Sequence, residues 1–139
     1  MAKILWSEGL ETGFLRMDSF HRSFVDLINQ LEEEILAQAA AKNIKSTIAD
    51  LYDLSRSSFQ VEEDLMREYG YEDFERRMEY HQHFLAELEY FLTNKLSTPH
   101  EENYFECYSF IYNWFFTHVL EEDAKLLRHI EHYQGMRAA

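Results

Sequence analysis

Ser58-Phe59-Gln60-Val61-Glu62-Glu63-Asp64-Leu65-Met66-Arg67-Glu68-Tyr69-Gly70-Tyr71 is the stretch whose reading decides the fold. Ser58, Glu62, Leu65 and Tyr69 recur every three or four residues, which places them on one face of an α-helix. The same stripe runs back through Ser55 or Leu54, then Leu51 and Ile48, so the sequence predicts a helix from about Ile44 to Tyr69. Gly70 follows as the stop, because glycine takes the left-handed conformation that ends helices. Glu62 is the anomaly in this stripe. A carboxylate on an apolar face costs several kcal/mol unless it is paired or bound to a cation.

Three further helices read outward from this one. The first is predicted over about 18–42, with Asp18 or Ser19 as cap, Phe24, Leu27, Ile28, Leu31 and Ile35 as stripe, and Asn43 near its end. The alanine-rich stretch Ala37–Ala41 is read as lengthening it. The third covers about 72–95, with Phe74, Arg77, His81, Leu85, Leu88 and Leu92 inward. The fourth covers about 99–133: Thr98, Pro99 and Glu101 form a capping box, Ile111, Trp114 or Phe115, Leu126, Leu127 and Ile130 face inward, and Gly135 ends it. Residues 1–17, with Trp6, Leu10, Phe14 and Leu15, form an arm. Four helices on short connections predict an all-α, antiparallel up-down-up-down four-helix bundle with an N-terminal arm, in one domain over 1–139.

Composition agrees. With 4 Gly and 1 Pro, long helices are favoured, and 46% hydrophobic with 16% aromatic residues fills a bundle interior. The balance of 13 basic against 26 acidic residues, a net −13, argues against a nucleic-acid or anionic membrane surface. There is no apolar run long enough to span a bilayer, and Met1–Glu8 has no apolar signal core. The single Cys107 has no internal disulfide partner, and a cytoplasmic location is the expectation.

Glu62 is not alone. His21 continues the first stripe, His81 lies on the third, and His118 and Asp123 flank the inward face of the fourth helix. In an antiparallel bundle these five fall at one level and converge. Imidazole and carboxylate together suit iron, zinc or manganese, and Glu62 and Asp123 can bridge two ions or bind one. Taken singly, each has a plainer reading, as a partly buried helix-start histidine or a surface-paired glutamate. His83, His129 and His132 are expected at the surface, His100 in the capping turn, and Glu32-Glu33-Glu34 on a solvated face.

The ordered pieces Gly13-Phe14, Asp18-x-x-His21, Phe59-x-x-Glu62-Glu63-x-x-Met66, Gly70-Tyr71, His81-x-x-Phe84-Leu85 and Trp114-x-x-x-His118-x-x-x-x-Asp123, with Trp6 and Asn29, resemble the bacterial hemerythrins over nearly the whole chain. The resemblance implies a four-helix bundle holding two non-haem irons, with O2 bound at one of them. It would make Glu62 and Asp123 the bridges, His81 and His118 ligands of the first iron, and His21 a ligand of the second. Phe115 and Val119 would line the ligand pocket. Two positions depart from the pattern: the resemblance expects histidine where this chain has Ser58 and Arg77. Serine is a poor neutral ligand, and arginine stays protonated. At about 4 Å and an effective dielectric of about 20, a guanidinium repels each unit of ion charge by about 4 kcal/mol.

Several arrangements follow, and the sequence does not choose among them. Arg77 pairs with Glu62 or Asp123 and takes the place of a lost ion. His81, His118, Glu62 and Asp123 hold a single ion with open positions. Arg77 swings out along its stem and leaves a weakened pair. The first functional reading is a non-haem iron protein binding O2 or a related diatomic for storage, delivery or sensing, through an altered di-iron or mononuclear site. The alternative is a metal-free or single-metal bundle serving as a signalling or interaction module with a protein partner. No general acid or base stands out, so no enzyme is expected; a mononuclear iron or peroxide-handling activity is the third reading.

Overall fold

The computed structural model describes residues 11–97 and 100–138. Its helices are α1 (Leu15–Leu36), α2 (Ala41–Glu68), α3 (Phe74–Thr93), α4 (Glu101–Thr117) and α5 (Ala124–Ala138). A π-helical turn over His118–Asp123 joins α4 to α5, so these three pieces form one long fourth rod. A short 3-10 turn, Lys95–Ser97, precedes α4. The rods make the predicted all-α four-helix bundle: α1 packs on α2 and α4, and α2 packs on α3. Among the described residues there is no strand, and none of their helices is long and apolar enough to cross a membrane.

The helix ends differ from expectation in instructive ways. The first helix starts at Leu15, a turn early, because Asp18 reaches back rather than capping at its own position. Its Oδ1 accepts from the Thr12 amide at 2.7 Å and hydroxyl at 2.8 Å, and its Oδ2 from the Gly13 amide at 3.3 Å. Gly13 allows that turn by taking φ +87°. The same helix stops at Leu36, well before Asn43. Gln38 adopts φ +54°, and the Ala39 amide donates to the Glu34 carbonyl at 2.9 Å, a six-to-one closure. The alanine-rich stretch thus supplies the loop and the first turn of α2, not more of α1. Gly70 ends α2 as read, at φ +60°, with the Tyr71 amide on the Met66 carbonyl at 2.9 Å. Gly135 does not end the fourth rod, which continues as helix to Ala138. Thr98 and Pro99, like Trp6 and Leu10 of the arm, lie outside the described residues. The residue capping α4 is His100, whose Nδ1 accepts from the Glu102 amide at 3.3 Å.

Beside a small cluster of Met17, Met66, Leu126 and Ile130, one main apolar core runs up to the buried polar groups, which its Phe59, Trp114 and Phe115 touch. Phe24, Ile28, Leu31, Ile48, Leu51, Leu88, Cys107, Tyr108 and Ile111 are all buried there. Glu32 and Glu34 are not simply solvated: Glu32 accepts from the Tyr108 hydroxyl at 2.7 Å, and Glu34 from the Thr47 hydroxyl at 2.5 Å. His129 is half-buried and lies 2.6 Å from the Tyr69 carbonyl, so it ties the fourth rod to the end of α2.

Burial pushes the Cys107 thiol up to about 12, with the Glu106 charge adding to it. Between its ordinary value and 12 the unfolded thiol ionises and the folded one does not. Stability is therefore present at neutral pH and falls as pH rises from about 9 towards 12. Labelling with a thiol reagent near pH 8 is expected to be at least about a thousandfold slower than in unfolded chain, set by the thiolate fraction. Fast labelling of native protein would show that the core here opens.

Candidate metal centre

Each buried polar group reaches the centre from a different rod. His21 comes from the second turn of α1, Ser58 and Glu62 from the later half of α2, and Arg77 and His81 from the first half of α3. His118 and Asp123 come from the π turn. All seven are buried. Antiparallel packing brings the beginnings of α1 and α3 level with the ends of α2 and α4, which is why positions so distant in sequence meet.

The π turn explains the five-residue spacing of His118 and Asp123. In an α-helix, five residues advance by about 500°, which leaves the two side chains about 140° apart. The wider π turn brings residue i+5 back over residue i. His118 Nε2 consequently lies 3.2 Å from Asp123 Oδ1, and 2.7 Å from Glu62 Oε1. His21 Nε2 is 2.7 Å from Asp123 Oδ2, and His81 Nε2 is 3.1 Å from Glu62 Oε2. Neither of these last two contacts follows a hydrogen-bond line, so all four atoms are buried without a hydrogen-bond partner. One ligand atom from each of His21, Glu62, His118 and Asp123 lies within 4.8 Å of the others. That donor set, two imidazoles and two carboxylates, fits one iron, manganese or zinc ion.

Aromatic walls orient the imidazoles. Phe59 stacks on His81 at 3.8 Å and 2°, and Trp114 on His118 at 4.4 Å and 23°. Phe115 meets His21 edge-on at 6.2 Å, and Val119 is buried in the adjoining core. His81 Nδ1 pairs with Glu63 Oε2 at 3.2 Å, which turns its Nε2 towards Glu62. His81 joins the four-residue set only through Glu62.

Arg77 does not swing out. It is the bulkiest of the fully buried side chains. Its Nη2 donates to Asp123 Oδ1 at 3.0 Å and lies 3.5 Å from Glu62 Oε2. Ser58, the other altered position, is buried with its hydroxyl unpartnered. The charges answer one another. Burial raises a carboxyl, yet Glu62 is held well below the usual range by His118, His81 and the Arg77 cation. Burial and the Glu62 charge push Asp123 up. Burial pulls His21 down, but the Asp123 carboxylate beside it more than compensates and raises it.

One participant was missed from the sequence. Glu122 is buried and accepts two bonds from Arg76, Nη1 to Oε1 at 3.0 Å and Nη2 to Oε2 at 2.8 Å. Its Oε2 also lies 3.4 Å from Arg77 Nη1. The adjacent pairs Arg76-Arg77 and Glu122-Asp123 were the available signal, but only the π turn makes them face each other.

A bundle with imidazoles and carboxylates converging between its rods has clear relatives. The family description "Hemerythrin HHE cation binding domain" matches residues 12–130. The chain belongs to the hemerythrin family. The bacteriohemerythrin of Pseudomonas aeruginosa is 26% identical over 132 residues, 95% of this chain and 84% of its own length. That of Clostridium acetobutylicum is 25% identical over 128 residues, 88% of this chain and 98% of its own. That of Stenotrophomonas maltophilia is 28% identical over 125 residues, 88% of this chain and 78% of its own. The hemerythrin family binds non-haem iron and O2, and the buried His-Glu-Asp cluster here is one that can take a metal ion. The donor set fits a single ion of that kind. The Arg77 cation stands against both carboxylates that a second ion would share.

Proposed function

We propose that this hemerythrin holds one non-haem iron between His21, Glu62, His118 and Asp123 and binds a small diatomic, O2 or a relative, for storage, delivery or sensing. The observation that carries this reading is the buried donor cluster, one ligand atom from each of those four residues lying within 4.8 Å of the others; the Arg77 guanidinium, 3.0 Å from Asp123, bears on the number of ions. Glu62, Asp123 and Arg77 together carry a single negative charge, which one divalent ion turns into a single positive charge and two ions would turn into three. An iron held there would supply a coordination position for a diatomic. The chain's own residues do the rest. Glu62 and Asp123 provide anionic oxygens, His118 and His21 provide nitrogen, Phe59, Trp114 and Phe115 hold the rings in place, and the surrounding apolar side chains exclude water. A binding role is favoured over a catalytic one, because in this reading His21, Glu62, His118 and Asp123 are all committed to holding the ion.

The test is metal per chain on protein produced with iron supplied, alongside its visible spectrum in air and without air. One iron per chain and an oxygen-dependent spectrum are expected. A second reading, a metal-free interaction module, is favoured by the same Arg77 ion pairs, since they neutralise part of the acid charge without any ion. Iron-free, colourless protein from iron-replete cells selects that second reading and sinks the first.

A further inference from the structure

We propose that Arg76 and Glu122 are a positioning pair that latches the π turn against α3 and so sets where Asp123 sits in the centre. The two elements meet as a ladder of neighbours. On the inner rung Arg77 donates to Asp123 at 3.0 Å. On the outer rung the Arg76 fork holds both oxygens of Glu122, at 2.8 and 3.0 Å. A diagonal contact of 3.4 Å joins Arg77 Nη1 to Glu122 Oε2. Asp73 on the α3 side, at 3.2 Å from Arg76 Nη2, and Lys125 on the α5 side, at 4.0 Å from Glu122 Oε1, complete the charges around it.

The ladder grips the chain where it departs from α-helical geometry. A π turn is rare, and relaxing to an ordinary helix would rotate Asp123 away from His118. Glu122 is the residue next to Asp123, and a two-point bond fixes orientation as well as distance. Glu122 also joins the two arginines, its Oε2 lying 2.8 Å from Arg76 Nη2 and 3.4 Å from Arg77 Nη1. The outer rung is partly solvated, so its direct share in folding is small. Its action on the centre runs through the peptide joining Glu122 to Asp123 and through Arg77, which touches both acids.

The iron arm of the test rests on the single-iron reading; the exchange arm does not. Arg76→Gln, Glu122→Gln and the double variant are compared with the parent. Iron(II) affinity is measured by chelator competition, and metal-free melting by calorimetry. Each single change is expected to weaken iron about tenfold or more, with a shift in metal-free melting of only a few degrees. The double variant is expected to be no weaker than the weaker single, because the two residues act as one bond. Affinities within twofold of the parent, or losses that multiply, overturn the latch. Should the parent take up no iron, the proposed function fails, and the latch is judged by amide exchange in the metal-free proteins. Exchange over residues 118–123 at least about tenfold faster in the variants supports it, and unchanged exchange overturns it.

Discussion

Arg77→Met is expected to lower the melting temperature of the metal-free protein by about 10 °C, from a loss of about 3–5 kcal/mol. Methionine nearly matches arginine in length, so the change removes charge more than volume. What remains is two buried carboxylates, Glu62 and Asp123, with no guanidinium between them. The pH dependence has a definite sign. Asp123 already has its folded pKa raised by burial and by Glu62. A carboxyl raised in the folded state binds its proton more tightly there, so its contribution is present at low pH and lost as pH rises through the folded value. Removing Arg77 raises it further, so the deficit of the variant grows from an acid pH, below the ordinary carboxylate value, to a neutral one. Addition of a divalent ion is expected to restore much of the loss, because the ion supplies the missing positive charge to the same carboxylates. Calorimetry at the two pH values, with chelator and then with metal, reads all of this. An unchanged melting point in chelator would mean that Arg77 contributes nothing as a buried cation.

The second large effect concerns stoichiometry. Ser58→His with Arg77→His is expected to raise iron from about one to about two per chain. The double change removes the repelling cation, which at about 4 Å opposes each unit of ion charge by about 4 kcal/mol at an effective dielectric of about 20. It also adds two neutral nitrogen donors beside Glu62, Asp123 and His81. Ser58 is already buried with an unpartnered hydroxyl, and His81 Nε2 already points at Glu62, so both new ligands face existing ones. Arg77→His alone is expected to fall between parent and double variant. If iron content does not move in either, the guanidinium was never the obstacle to a second ion.

Much of this was legible in the residues themselves. Apolar positions every three or four residues located four rods, and Gly70 stopped the second where it was read to stop. His21, Glu62, His81, His118 and Asp123 stood out because ionisable groups are costly on apolar faces, and an antiparallel bundle places those faces together. That reasoning depends on side-chain type and helical period, both local properties.

What lay beyond the sequence depended on geometry between rods. The early end of α1 at Leu36 followed from Gln38 taking a left-handed conformation, in a stretch where alanine favours helix. The inward direction of Arg77 was open, since a long stem can carry its charge either way. Only the neighbouring carboxylates on α2 and the π turn decided it. Glu122 looked like one acid among many, and its two-point bond to Arg76 exists only because the chain widens at His118–Asp123. The sequence by itself determined the bundle and the chemistry of the groups in its interior, because periodicity and burial cost are written residue by residue. The tertiary structure alone decided that a guanidinium stands among them, because that depends on which charges meet across three separate rods.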